Sequence, residues 1–345
     1  MTGRCVLRTG PFLLVLLVPL VDGFRGSRIA SPDRSSSRRF CFLRPVSTSD
    51  LPRDALPEPL VCGRFTLRFE RPLVMGILNV TPDSFSDGGR YIVRDAAVRQ
   101  AEKMLAEGVD IIDIGGESTR PGAPPVPLDQ ELERVVPVVE ALVGAGVPLS
   151  IDTYKPEVMR AALAAGADLI NDIWGFRRPG ALEAVRDSRC GLCVMHMLGE
   201  PQTMQRAEMD YVDVVADVRA FLQARVEALM QAGIARARIS VDPGFGFGKA
   251  TREHNYALLA RLRDTAPGPA AGQAPFPILA GMSRKSMLGA VTGRAAPAER
   301  VAASVAAAVC AVERGAAIVR VHDVAETVDA LKVWAAVREA QERAR

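Results

Sequence analysis

From residue 60 onward, short apolar runs rich in β-branched residues alternate with amphipathic segments at helical period, and this alternation narrows the possible folds more than any other feature. The strands read as 73–80, 109–115, 148–153, 169–173, 192–197, 239–242, 278–282 and 318–322. The helices read as 94–107, 128–143, 156–165, 181–187, 211–231, 253–263 and 297–314, with a last one at 324–343. Gly108, Gly144, Gly166, Gly233 and Gly315 each follow a helical run, where a left-handed residue stops a helix. Residues 61–70 read as a short antiparallel pair turning at Gly63. About eight βα units over roughly 280 residues predict a closed (β/α)8 TIM barrel with a short N-terminal β-hairpin, occupying 60–345. The rival, a doubly wound open sheet, would confine functional residues to a few strands at its switch point. Here nearly every strand ends in a polar residue.

Those strand ends carry Asn79; Asp113, Glu117, Thr119 and Arg120; Asp152; Asn171; His196; Asp242; Ser283, Arg284 and Lys285; and Arg320 with His322. In a barrel they meet at the C-terminal mouth, where such folds keep their chemistry. Arg320 and His322 are two residues apart and share a face, as do Ser283 and Lys285. One polar group at a strand end is usually structural; this many together indicate a site. Arg120, Lys285, Arg320 and His322 suit phosphate oxygens. Asp152, Asn171 and Asp242 suit a flat heterocycle with several N–H donors, such as a pterin or guanine. The run 73–89 delivers Asn79 to a strand tip and opens into a polar loop containing Phe85 and Asp87.

Other features exclude function classes. A net charge of +3 with 5% aromatic residues gives neither a basic footprint nor stacking platforms, so no nucleic-acid partner is expected. Cys190-Gly-Leu-Cys193 has no second pair, and it reads as buried, inert thiols. Six cysteines in a chain of this length suit a reducing compartment. Gly244-Phe-Gly-Phe-Gly-Lys249 matches neither a dinucleotide fingerprint nor a P-loop, and it reads as a loop whose glycines let a ligand approach the backbone. Lys285 as a Schiff-base lysine is a weaker alternative, with Arg284 adjacent. Residues 1–59 differ from the rest: an apolar run at 11–21, an Arg- and Ser-rich stretch at 25–44 and a Pro-rich end. The apolar run is too short to span a bilayer. The segment reads as a signal peptide, a transit peptide or an extension ahead of the true start, and is expected to be disordered.

Leu78-Asn-Val-Thr-Pro-Asp-Ser-Phe-Ser-Asp-Gly88 and Asp113-Ile-Gly-Gly-Glu-Ser-Thr-Arg-Pro-Gly122 resemble the two signatures of the dihydropteroate synthases. Ile151-Asp-Thr, Asn171-Asp-Ile, Met195-His-Met, Val241-Asp-Pro-Gly-Phe-Gly-Phe-Gly-Lys249, Ser283-Arg-Lys285 and Arg320-Val-His-Asp323 follow in that family's order, from about Phe65 to the C-terminus. The resemblance implies a transferase of folate biosynthesis that is a sulfonamide target and uses Mg2+. It joins 6-hydroxymethyl-7,8-dihydropterin diphosphate to p-aminobenzoate. By motif, Asp152, Asn171, Asp242 and Lys285 hold the pterin, with Phe247 a further substrate-binding residue; Arg320 and His322 hold the diphosphate; Asn79 lies near the metal. Thr119, Arg120 and Pro121, with Phe85 and Asp87, form the p-aminobenzoate side, and Ser286 lies beside its carboxylate. The first loop (81–90) and the second (119–127) are expected to close over bound pterin. Tyr154 and Leu198 depart from the pattern and are expected to lie outside the polar set. A corrinoid-dependent methyltransferase would share Asp152, Asn171 and Asp242 but would not need the diphosphate cations, and a pterin-binding paralogue without catalysis is a third reading. The resemblance further implies a homodimer without a membrane partner, and a cytoplasmic location beside its substrates.

Overall fold

The computed structural model describes residues 56–80, 90–118, 124–199, 211–268 and 273–344. It opens with the hairpin β1 (Leu60–Cys62) and β2 (Phe65–Leu67), paired antiparallel. Eight parallel strands follow: β3 (Leu73–Asn79), β4 (Ile111–Gly115), β5 (Leu149–Asp152), β6 (Leu169–Asp172), β7 (Gly191–Met195), β8 (Ile239–Asp242), β9 (Ile278–Ala280) and β10 (Ala316–Val321). They close into a barrel in chain order, with β10 pairing β3. The helices outside are α1 (Arg90–Ala106), α2 (Leu128–Leu142), α3 (Pro156–Ala165), α4 (Ala181–Val185), α5 (Val214–Gln231), α6 (Glu253–Ala260), α7 (Ser286–Thr292), α8 (Val301–Glu313) and α9 (Val324–Arg343). The expected (β/α)8 architecture is therefore present. Among the described residues no single helix is long and apolar enough to cross a bilayer.

Local chemistry accounts for the element boundaries. Pro156 opens α3, where its missing N–H has no partner to lose, and Gly166 closes it at φ 110°. Asp213 caps α5 by accepting from the N–H groups of Val215 and Ala216. The helix expected at 253–263 divides into α6 and a 3-10 turn, Leu262–Thr265. α7 is a finding that the sequence pattern did not give: seven residues make too few turns for a 3.6-residue period to register.

The barrel has two apolar regions. Alternate strand residues face the helices and join their buried sides, among them Val74, Leu78, Ile112, Ile151 and Val319. The other set, Leu73, Met75, Ile111, Leu169, Cys193, Leu279 and Ile318, packs in the lower interior against Leu60, Cys62 and Phe69. The hairpin thus plugs the N-terminal end of the cylinder. Asp168 locks the plug: its buried carboxylate accepts from the Arg64 backbone N–H (3.1 Å), Arg64 Nε (2.9 Å) and Leu149 N–H (3.1 Å). Gly63, at φ 56°, passes so close that a Cβ would lie 2.5 Å from Asp168 Oδ1. Glu58, which the sequence groups with the extension, is paired with Arg236 and donates its N–H to Pro275 O.

Asp168→Ala leaves the buried Leu149 N–H without its acceptor and releases the plug. It should cost about 2–3 kcal/mol in denaturant unfolding, with little change in mouth chemistry.

Candidate active site

Alternation along each strand decides which side chains enter the upper interior. On β4 the inward set is Ile111, Asp113 and Gly115; the same parity turns Ser150 and Asp152, Asn171, Cys193, Ser240 and Asp242, and Arg320 inward. Apolar residues fill the lower layer, and polar groups form the layer above it. Asp113, fully buried, is the floor of this layer. It accepts from Ser150 Oγ (2.5 Å), Asn171 Nδ2 (3.3 Å) and Arg320 Nε (2.6 Å). Arg320 also donates through Nη2 to Asp152 Oδ2 at 2.7 Å. One guanidinium therefore joins carboxylates from β4 and β5.

Burial sets the electrostatics. Desolvation raises the Asp152 carboxyl well above the usual carboxylate range, against the pull of Arg320, and Asp113 adds to the rise. Asp242 is raised mainly by burial, opposed by Lys285. Burial lowers Lys285 to about 8, with Asp242 opposing the shift. Arg320 is raised: its two carboxylate partners outweigh its own desolvation. Asp152 Oδ1 is buried with no hydrogen-bond partner among the described residues. A buried acceptor in that state suits a ligand N–H.

The rim is built by the segment after β8. Gly244, Gly246 and Gly248 all have positive φ. A Cβ on Gly244 would lie 1.9 Å from His196 O, and one on Gly248 2.7 Å from Leu198 O. Two of the three glycines thus serve close approach to the end of β7, whereas the sequence reading assigned them to ligand approach. The loop turns its Phe245 carbonyl to Lys285 Nζ (2.6 Å) and sets the Phe247 ring 4.7 Å beneath that ammonium. Asp242 Oδ1 accepts from Gly244 N–H at 2.7 Å. His322 stands beside Ser283, Nδ1 to Oγ at 3.0 Å, and Ser286 is exposed at the start of α7. Asn79 is half-buried at the tip of β3, its Oδ1 above Gly115 on the Asp152 side of the mouth.

Asp152, Asn171, Asp242, Phe247, Lys285 and Arg320 are thus brought together. Asp87, Thr119, Arg120 and Pro121, with Phe85 and most of the two loops, lie outside the described residues. Two strand-end residues turn away from the mouth, and a third, Glu117, is engaged by Lys155 and Tyr154. His196 follows the outward parity of β7, packs edge-on against Phe221 at 4.8 Å, and is pushed down to about 2 by burial and by Lys249. Arg284, at φ 59°, pairs with Asp323. Glu117 bonds to Lys155 Nζ (2.6 Å) and accepts from the Tyr154 hydroxyl (2.8 Å). Tyr154 is therefore not outside the polar set; it also packs with Trp174, Met195 and Phe247 at the mouth. Lys155 Nζ further bonds Val126 O and Glu131, so both described flanks of the 119–123 segment meet at one ammonium. Sequence reading left Asp113 without a role, although its parity with Gly115 was available; it gave no role to Lys249, which no strand pattern marks. The cysteines agree with expectation: Cys190 and Cys193 are buried, unpaired with each other, and raised by burial.

A closed barrel with a buried acceptor layer and cations at its mouth fits a pterin-binding enzyme, and the family described as "Pterin binding enzyme" matches residues 75–322. The chain is 49% identical to the dihydropteroate synthase of Escherichia coli K12 over 281 residues, covering 81% of this chain and 96% of that one. It superposes on the Burkholderia cenocepacia dihydropteroate synthase complexed with 7,8-dihydropteroate at a TM-score of 0.78 and 71% identity, covering 84% of this chain and 99% of the other. The Xanthomonas albilineans enzyme with 4-aminobenzoic acid gives a TM-score of 0.75 and 52% identity, covering 82% and 99%. The chain belongs to the dihydropteroate synthase family.

Two outcomes follow from the geometry. Because Asp152 holds its proton more tightly folded than unfolded, its contribution to stability is full below about pH 3.9 and declines as pH rises through the raised folded value. Asp152→Asn removes that decline while Arg320 keeps Asp113, so the variant should unfold at higher urea than the parent at pH 8, with the gap narrowing towards pH 4. Gly244→Ala should displace the loop and lower activity at least tenfold, whereas Gly144→Ala, with open space around it, should leave activity within twofold.

Proposed function

We infer that the chain condenses 6-hydroxymethyl-7,8-dihydropterin diphosphate with p-aminobenzoate to give 7,8-dihydropteroate and pyrophosphate. The observation that carries this reading is the Arg320 guanidinium held between Asp113 and Asp152, with Asp242 and Lys285 close enough to shift one another's charge. Acceptors for the ring and cations for the leaving group share one mouth.

The C–O bond to the diphosphate breaks with its electron pair leaving on oxygen. The electron-rich ring shares the positive charge left on the methylene carbon. The arylamine nitrogen then attacks with its lone pair and loses a proton, so no strong base is needed. Asp152, Asn171, Asp242 and Lys285 hold the ring; Arg320 and His322 supply positive charge where the anion forms. On the p-aminobenzoate side the reading assigns Thr119, Arg120, Pro121, Asp87 and Ser286, from the motifs they belong to. The same reading makes the chain a sulfonamide target.

Asn79 offers a hard carboxamide oxygen at the rim, beside the mouth where the substrate's diphosphate would sit. That donor set fits Mg2+, which retains waters and leans on substrate phosphates. When bound there, Mg2+ would neutralise charge on the departing diphosphate. We also propose a homodimer, supported by the exposed Val333 and Val337 one turn apart on α9, and a cytoplasmic location.

The purified chain with both substrates should release one pyrophosphate per dihydropteroate; pterin binding without release would overturn the reading. Arg320→Ala should lower kcat/KM for the pterin diphosphate about 10²–10³-fold. Because Asp152 must be ionised to accept from the ring, pterin affinity should rise with pH through its raised value and flatten above it. Asp152→Asn should abolish that rise, as read by titration calorimetry.

A further inference from the structure

Lys249 is fully buried, follows three glycines of positive φ and reaches back under its own loop. Its ammonium donates to Gly244 O (2.8 Å), Phe247 O (3.0 Å) and His196 Nδ1 (2.9 Å). Three donors meet three acceptors, so the group is satisfied without touching the mouth. For Nδ1 to accept, His196 must be neutral with its proton on Nε2. Its burial against Phe221 and Tyr211 favours that state.

An ammonium is a costly choice for this place. An apolar side chain of similar length would fill the space without desolvating a charge. What the charge adds is three directed bonds, two of them to loop carbonyls that bracket Phe245 and Gly246. Those two residues face the other way. Phe245 O receives Lys285 Nζ, and Gly246 N–H donates to Asn255 Oδ1 at 2.7 Å. The Phe247 ring lies under the Lys285 ammonium, and Gly244 N–H is bonded to Asp242. The side-chain hydrogen bonds of Lys285 and Asp242 therefore run to the short segment that Lys249 grips from beneath. Those of Arg320 do not; its partners are Asp113 and Asp152, on strands across the barrel.

We propose that Lys249 is a positioning residue for the transfer, its buried ammonium tying the Gly244–Phe247 turn to His196 and so holding Asp242 and Lys285 in register for the pterin ring. The proposal rests on the reading of the site given above. It assigns His196, which the mouth does not use, the role of anchor on the neighbouring strand end. It also gives the glycines their reason: with side chains at Gly244 and Gly248 the loop could not approach His196 closely enough for Lys249 to reach it.

The test separates the ring side from the anion side. Lys249→Met keeps the length and removes the charge. Binding of 6-hydroxymethylpterin and of pyrophosphate to the full chain is measured separately by titration calorimetry, and turnover is followed by pyrophosphate release. The expected result is a 10- to 100-fold loss of pterin affinity, a matching rise in KM for the pterin diphosphate, and pyrophosphate affinity within twofold of the parent. His196→Leu should behave like Lys249→Met, whereas His196→Gln, which keeps an acceptor, should recover at least half of the lost binding free energy. Unchanged pterin affinity in Lys249→Met overturns the proposal, as does an equal loss of pterin and pyrophosphate binding. If both Lys249→Met and His196→Leu fail to fold, the bond is a prop for the fold and the proposal falls. Failure of the unaltered chain to bind pterin at all would instead overturn the underlying reading.

Discussion

The Arg320 guanidinium is the interaction on which the site depends. Its partners, Asp113 and Asp152, come from the neighbouring strands β4 and β5, with β3 lying between β4 and β10. Without a cation between them, two carboxylates at this depth would repel each other. With it, Asp113 can also hold Ser150 and Asn171, and the polar layer becomes one connected network. A network of this kind is stable only when its members are satisfied. The exception, Asp152 Oδ1, lies where a ring N–H would be received.

Below that layer the physics is different. The plug of Leu60, Cys62 and Phe69 closes the bottom of the cylinder with apolar contacts. Its polar ties, Arg64 to Asp168 and Arg71 to Asp110, sit at the outer edge of the barrel floor. The strands are thus asymmetric along their length. One end is dry and contributes burial; the other holds charges in a low-dielectric setting, where they act strongly on one another. Function and stability occupy opposite ends of the same strands.

The barrel was legible in the sequence because period-2 and period-3.6 patterns alternate cleanly, and strand edges were misplaced by only a few residues. Parity along β10 put Arg320 inside, and parity along β4 was equally available for Asp113. The misreadings share a cause. His196 and Arg284 end apolar runs, as the mouth residues do, but one follows the outward parity and the other sits at positive φ. Tyr154 looked like a neutral variant because its hydroxyl partner, Glu117, is distant in the chain. Lys249 gave no pattern, since its partners are backbone carbonyls and a histidine brought together only by folding.

The three-glycine turn has a consequence for how the site can change over time. Main-chain atoms make its hydrogen bonds with Lys285 and Asp242, and no codon change can swap a carbonyl for something else. At Gly244 and Gly248 even a methyl group collides with the next strand end. Resistance to an inhibitor that leans on this wall therefore has to arise at positions where side chains do the holding, and a compound confined to the wall leaves such variants little to work with.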